Sequence, residues 1–325
     1  MTRISKRLSV VFTIAIGIAY AGCGGPQQTG QTAFPQLQED PASTPLPSGA
    51  MSHRASRPLP HFATSQPLLY VGDGNAVDIY PLTGPNQKKI GSITNGVPSP
   101  WGLSLDANNT LYVANDTSSV TVYPLGSSNP SMRYSRGLHQ PLCAVADSAG
   151  HVLVGDREPA GHNKGFVVEY NAGTNVPIKR VRLGSEEDGM TFDSHGNLYV
   201  AYRRTSVHSS IAEFGPGLTN ERLLGMTING PQGLVVDSAG NIVVVESASL
   251  DIKVFPPGAT TPSVTIQFPE EANLAELAMQ NSETTLWVST ENGTVLSMPY
   301  PLTASTKATE YEQVSNFSNG IAVTH

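Results

Sequence analysis

The 325-residue chain is short of cysteine, of charge and of aromatic side chains, and each shortage removes a class of protein. Two cysteines, Cys23 and Cys143, cannot build the disulfide framework of a small secreted scaffold, so the fold must rest on packing. Lysine and arginine number 19 against 26 aspartates and glutamates, a formal charge of −7. Nucleic acids and anionic membrane surfaces are both held by Lys and Arg, so neither is expected as a partner. No apolar run reaches the about 20 residues of a spanning helix. Helical periodicity is missing throughout. So are a GxSxG elbow, a His pair at metal-binding spacing and a phosphate-binding glycine loop.

The first residues stand apart from the rest. Arg3, Lys6 and Arg7 precede an apolar stretch, Leu8 to Ala21, that ends in Ala21-Gly22-Cys23, the layout of a cleaved export signal. With Tyr20 where the motif usually has Leu, this ending resembles the lipobox of bacterial lipoproteins. The resemblance implies that residues 1–22 are removed and that Cys23 is acylated, anchoring the protein to the cell envelope. Since Gly24 and not Asp follows Cys23, it also implies the outer membrane in a cell with two membranes. Loss of three positive charges takes the formal charge from −7 to −10. Residues 23–67, rich in Pro, Gln, Thr and Ser, cannot bury enough surface to offset their chain entropy and are expected to form a disordered tether.

Residues 68–325 repeat. The triplets LYV (69–71), LYV (111–113), VLV (152–154), LYV (198–200), IVV (242–244) and LWV (286–288) have central residues 42, 41, 46, 44 and 44 apart. Before most triplets comes a strand pattern ending in Asp: GLSLD (102–106), CAVAD (143–147), GMTFD (189–193) and GLVVD (233–237). Tight turns follow it, SAGH, SHGN and SAGN, with ANNT as a variant after Asp106. Asp bonds turn amides and Gly supplies positive φ, so Asp106, Asp147, Asp193 and Asp237 are expected to be structural. Two further apolar segments complete each unit, as in SVTVY (119–123) and PSVTI (262–266). Four short strands per unit predict an all-β, six-bladed propeller of four-stranded antiparallel blades. The first unit lacks its GLxxD strand and the chain ends in NGIAVTH (319–325), so the C-terminal strand should close the ring. The sixth unit departs most, with Glu276 for Gly and Gln280 for Asp.

The segment GPQGLVVDSAGNIVVVESASLDIKVFPPG (230–258) resembles an NHL repeat, and residues 68–325 resemble the six-bladed propellers that include NHL proteins, streptogramin lyases and the gluconolactonase and regucalcin family. That resemblance implies the fold over the whole repeat region; activity depends on the site.

Strand alternation brings two sets of positions to one rim. Residues before the first strands are Trp101, Leu142, Asp188, Gln232, Ala275 and Asn319; those after the triplets are Asp73, Asn115, Asp156, Tyr202, Glu246 and Thr290. The gluconolactonase resemblance implies Ca²⁺ or Zn²⁺ at such a rim, with Asp188 as a ligand, polarising a lactone carbonyl and activating water. Leu142 and Trp101 stand where that family presents polar ligands, so the favoured expectation is a non-enzymatic propeller binding an envelope protein, a glycan or a small polar ligand as a monomer. A purely structural envelope protein is a third reading. Lyase chemistry of the streptogramin type needs His beside Glu on the rim, whereas His139, His162 and His208 fall in loops. The longest loops, 156–165 and 202–210, bring Arg157, Lys164, Arg203 and Arg204 beside the acidic mouth.

Overall fold

A computed structural model describes residues 66–82, 88–158, 164–184, 186–205, 208–313 and 319–325, without the side chains of 186, 187, 204, 205, 208, 312 and 313. The expected signal, tether and Cys23 lie outside these residues up to position 65, as does His162. Among the described residues no helix is long and apolar enough to cross a membrane.

The described strands form six four-stranded antiparallel sheets. The first contains β1 (Leu68–Asp73), β2 (Ala76–Pro81) and β3 (Gly91–Ile93). The second is β4 (Pro100–Leu105), β5 (Leu111–Asn115), β6 (Ser119–Tyr123) and β7 (Met132–Tyr134). The third is β8 (Gln140–Ala146), β9 (Val152–Arg157), β10 (Gly165–Tyr170) and β11 (Pro177–Arg182). The fourth is β12 (Glu186–Phe192), β13 (Leu198–Thr205), β14 (His208–Gly215) and β15 (Thr219–Leu223). The fifth is β16 (Pro231–Val236), β17 (Ile242–Glu246), β18 (Asp251–Phe255) and β19 (Val264–Gln267). The sixth is β20 (Leu274–Met279), β21 (Thr285–Thr290), β22 (Thr294–Pro299) and β23 (Thr309–Gln313). The last strand, β24 (Ile321–Val323), pairs with β1 and supplies the innermost strand of the first blade. Adjacent innermost strands touch all the way round, β4 to β8, β12, β16, β20, β24 and back to β4. The ring is therefore closed by pairing of the two chain ends of the repeat region, which covers the inner edge of β1 with β24.

The triplets are wholly apolar because both faces of their strands are buried. In β5, Leu111 and Val113 pack between blades one and two, while Tyr112 and Ala114 pack between blades two and three. In β17, Val243 and Val245 face blade six, and Ile242 and Val244 face blade four. The core is thus a set of layers between neighbouring blades, not a single central mass.

The hairpin turns follow the repeat pattern. Asp147 Oδ1 accepts from the amides of Ala149 and His151 at 2.9 and 2.8 Å, and Asp193 Oδ1 does the same with His195 and Asn197 at 2.8 and 2.9 Å. Gly150, Gly196 and Gly240 occupy left-handed backbone there, and in the variant turn Asn109 takes that place with φ 58°.

Candidate functional site at the channel mouth

The first strands begin with a shared irregularity. Register shifts between Pro100 and Gly102, Pro141 and Cys143, Glu187 and Gly189, Pro231 and Leu234, and Leu274 and Leu277 put Trp101, Leu142, Asp188, Gln232 and Ala275 at bulges. A bulge re-aims a side chain and ends regular pairing, which suits a rim. Asn319 precedes β24 at the same level of blade one. Trp101 and Gln232 are part-exposed, Leu142 and Ala275 are buried, and Asp188 and Asn319 are 6% and 2% exposed.

Below the bulges the innermost strands approach backbone to backbone. A Cβ on Gly102 would meet the Leu142 carbonyl oxygen at 2.3 Å, and one on Gly189 the Gln232 carbonyl oxygen at 2.6 Å. Glycine at the head of GLxxD is thus a close-approach residue. Blade six breaks this rule with Glu276, which is 9% exposed and accepts hydrogen bonds from the backbone N–H groups of Leu103 in blade two and Ile321 in blade one. Its Oε1 lies 3.1 Å from where a Cβ on Gly102 would stand, so the missing side chain there makes its room. Burial pushes the Glu276 carboxyl well above its ordinary 4.5, and the nearby Asp188 charge adds to that shift. Glu276 therefore ties three consecutive innermost strands together at the point of ring closure. Its signal in the sequence is the lone carboxylate in the glycine column, which reads there only as a weak repeat copy. On the turn face the channel opens into a cavity of about 320 Å³ bounded by Leu103, Met190, Leu234, Leu277 and Ile321 among others.

The residues after the triplets are placed differently from those at the bulges. Asn115, Asp156 and Glu246 are each 0% exposed. Asn115 Nδ2 donates to Thr121 Oγ1 and the Val113 carbonyl at 3.1 and 3.2 Å. Asp156 Oδ1 accepts from the amides of His139 and Gln140 at 2.8 and 3.0 Å, and its Oδ2 lies 3.3 Å from His139 Nδ1. Burial raises the Asp156 carboxyl above its ordinary value, and the His139 bonds oppose that rise. Glu246 Oε2 accepts from the Asn229 amide, Ser249 Oγ and Lys253 Nζ at 3.0, 2.7 and 2.7 Å. Thr290 is buried and bonded to its own turn, and Tyr202 belongs to the layer between blades three and four. Asp73 is part-exposed, its carboxyl raised by burial and by neighbouring Asp78. Asp156, Glu246 and Thr290 in this row therefore fasten loops and turns.

Within the bulge row the whole Asn319 amide stands out. Neither Oδ1 nor Nδ2 has a hydrogen-bond partner among the described residues, whereas Asn115 and Glu246 each leave only one oxygen so. Asp188 Oδ2 lies 4.0 Å from Arg203 Nη2, and two further basic residues are engaged locally, Arg157 with Gln140 and Lys164 with Glu158.

Calcium or zinc does not fit these donors. Among the described residues no three His, Cys, Asp or Glu side chains converge as metal ligands. Asp188 faces a guanidinium, Glu276 is turned down the channel onto two N–H groups, and Leu142 and Trp101 supply no oxygen.

No protein-family model matches the chain. No curated protein matches it. Among solved structures, a chain of "Crystal structure of Nidogen/Laminin Complex" is similar over 79% of this chain and 98% of that one, with a TM-score of 0.62 at 15% identity. At that identity the likeness shows the propeller fold alone.

Proposed function

We propose that the protein is an exported, lipid-anchored propeller of the cell envelope whose channel mouth binds a small polar ligand of the uncharged glycan type, without chemistry of its own. The observation that carries this reading is the amide of Asn319, a residue 2% exposed with neither polar side-chain atom bonded among the described residues. An unsatisfied buried amide costs about 1–3 kcal/mol, and a ligand hydroxyl, which both donates and accepts, meets both of its atoms. Asp188 adds an acceptor and part-exposed Trp101 a flat apolar face of the kind sugar rings stack on. The acylation at Cys23 rests on the lipobox resemblance and places the ring at a membrane surface without requiring the ring to touch it.

The test is thermal unfolding of the full chain against neutral oligosaccharides, EDTA, Ca²⁺ and Zn²⁺. A ligand that binds only the folded state raises the midpoint by mass action. A saccharide should do so, Asn319→Ala should weaken that saccharide at least tenfold, and the cations should leave the midpoint where EDTA does. Stabilisation by a cation that Asp188→Ala abolishes would overturn the reading in favour of a metal-dependent hydrolase. Separately, Cys23→Ser should move the protein from the detergent phase to the aqueous phase on phase partitioning.

A further inference from the structure

Where blades three and four meet on the turn face, opposite the channel mouth, lies a cavity of about 680 Å³. That volume is in the range of about 300–1,000 Å³ in which proteins hold small molecules. Its apolar wall is formed by Leu153, Leu198, Leu218 and Phe192, and Glu169 lines it from β10. Alternation along β10 puts Val168 and Tyr170 toward blade two and Val167 toward blade four, so Glu169 shares the face of Val167. The residue is 5% exposed, yet it makes no hydrogen bond or ion pair among the described residues.

The reason is visible across the strand. Lys179 on β11 is directly opposite Glu169, but its Nζ donates to the carbonyls of Gly217 and Leu218 in blade four, at 2.8 and 3.0 Å, and not to the carboxylate. One blade further on, the equivalent cross-strand pair is made: Arg222 binds Glu213, and both line the smaller cavity, about 320 Å³, between blades four and five. The same repeat position thus holds a hydrogen-bonded ion pair in one groove and, in the other, a carboxylate with no hydrogen bond or ion pair among the described residues, whose charge acts at a distance on His151.

Three turn aspartates in the cavity wall add negative potential, and the first, Asp106, accepts from the Asn108 and Thr110 amides of its own turn at 2.8 Å in both cases. Asp147 is occupied by the amides of its turn and by His151 Nδ1 at 2.9 Å, and Asp193 by its turn and by Asn197 Nδ2 at 2.9 Å. One available carboxylate cannot satisfy a hard metal ion, which takes about six to eight oxygens. A carboxylate removed from water calls for a cation, and the wall beside it is hydrocarbon. We propose that this cavity is a binding site for a small organic cation, an alkyl ammonium whose chain lies against Leu153, Leu198 and Leu218 and whose charged head meets Glu169.

Titration calorimetry of the full-length protein with n-hexylammonium chloride and with n-hexanol tests this, with backbone amide NMR shifts locating the site. The ammonium should bind at least tenfold more tightly than the alcohol and shift the amides of Ala149, Gly217 and Leu218. Glu169→Gln should erase the difference between the two probes, and Glu213→Gln should retain it. Equal binding of ammonium and alcohol, no saturable binding of the ammonium, or discrimination that survives Glu169→Gln would overturn the site. If Glu169→Gln does not fold, the wild-type comparison and the location of the shifts decide: shifts at Asp188 and Arg203 in place of the turn face overturn it.

Discussion

At the turn face, Asp106, Asp147, Asp193 and Asp237 each bind amides two or four residues ahead in their own hairpins. At the mouth face, Asp156 and Glu246 bind amides 16 or 17 residues earlier, in the loop that enters their own blade, and Asn115 contacts the Gly96 carbonyl 19 residues earlier. Both rows are polar side chains at strand ends, and both fasten turns or loops. They differ in reach. A local turn closes whatever the rest of the ring does, whereas a long-range tie holds the blade's first strand against its second and is fully buried while doing so. Mutations should therefore cost far more at the mouth than at the turns.

Glu246→Ala should be the most damaging single change in either row. It removes the acceptor of the Asn229 amide and leaves Lys253, 16% exposed in its side chain, with only Asp251 Oδ2 at 3.6 Å. Leaving a part-buried ammonium without its nearest partner costs up to about 3 kcal/mol. Chemical denaturation should show that loss, and Glu246→Ala with Lys253→Met should recover part of it, because the stranded charge is then gone. Equal costs for the single and double variants would mean that the amide tie, not the ion pair, dominates.

Among the turn acids Asp237 blurs the division. Its Oδ2 also accepts from Tyr300 Oη at 2.6 Å, 63 residues away in blade six. Asp237→Ala should therefore cost about 2 kcal/mol, one more net hydrogen bond than a purely local turn. Tyr300→Phe should reproduce the long-range share of that loss in a denaturation curve.

Glu276 sharpens the contrast through pH. Its folded-state carboxyl is raised well above 4.5, so its neutral form is the one that the channel favours. The stability linked to it is fully present below about 4.5 and is lost as pH rises through the folded value. Glu276→Gln cannot ionise and keeps an acceptor for the Leu103 and Ile321 amides. Relative to wild type it should gain stability steadily as pH rises above 4.5, measured as the difference between the two unfolding midpoints. Parallel midpoints from pH 4 to 9 would show that folding does not shift the titration of the carboxyl.

The range of each interaction also decides how much of it is legible in the amino-acid sequence. The repeat spacing, the four strands per unit and the closing C-terminal strand are legible because each copy carries the same local pattern, and the turn acids because Asp and its amide partners lie within four residues. The bulge row is legible as a rim, since it marks where every first strand begins. The tie made by Glu246 is not, because Asn229 belongs to a loop with no repeat signature. Glu276 is harder still: its partners Leu103 and Ile321 lie on other blades, and in sequence it is only a copy that lost its glycine. Glu169 and Glu213 occupy one repeat position, and nothing local tells that Lys179 will turn to the Gly217 carbonyl while Arg222 will not.

The smallest effect is the one on which the comparison depends. Asp106 Oδ1 accepts from the Asn108 and Thr110 amides at 2.8 Å in both cases, in an exposed hairpin whose left-handed corner is Asn109. A further side-chain contact among the described residues, Tyr112 Oη at 3.4 Å from Oδ2, is long for a hydrogen bond. Water can replace the carboxylate at the turn amides, so Asp106→Ala should cost about 1 kcal/mol and leave the denaturant dependence unchanged. If it costs as much as Glu246→Ala, the hairpin is not an independent unit: blade two must then depend on its first turn for the alignment of β4 against β8, and the distinction between local and long-range ties fails at the turn face.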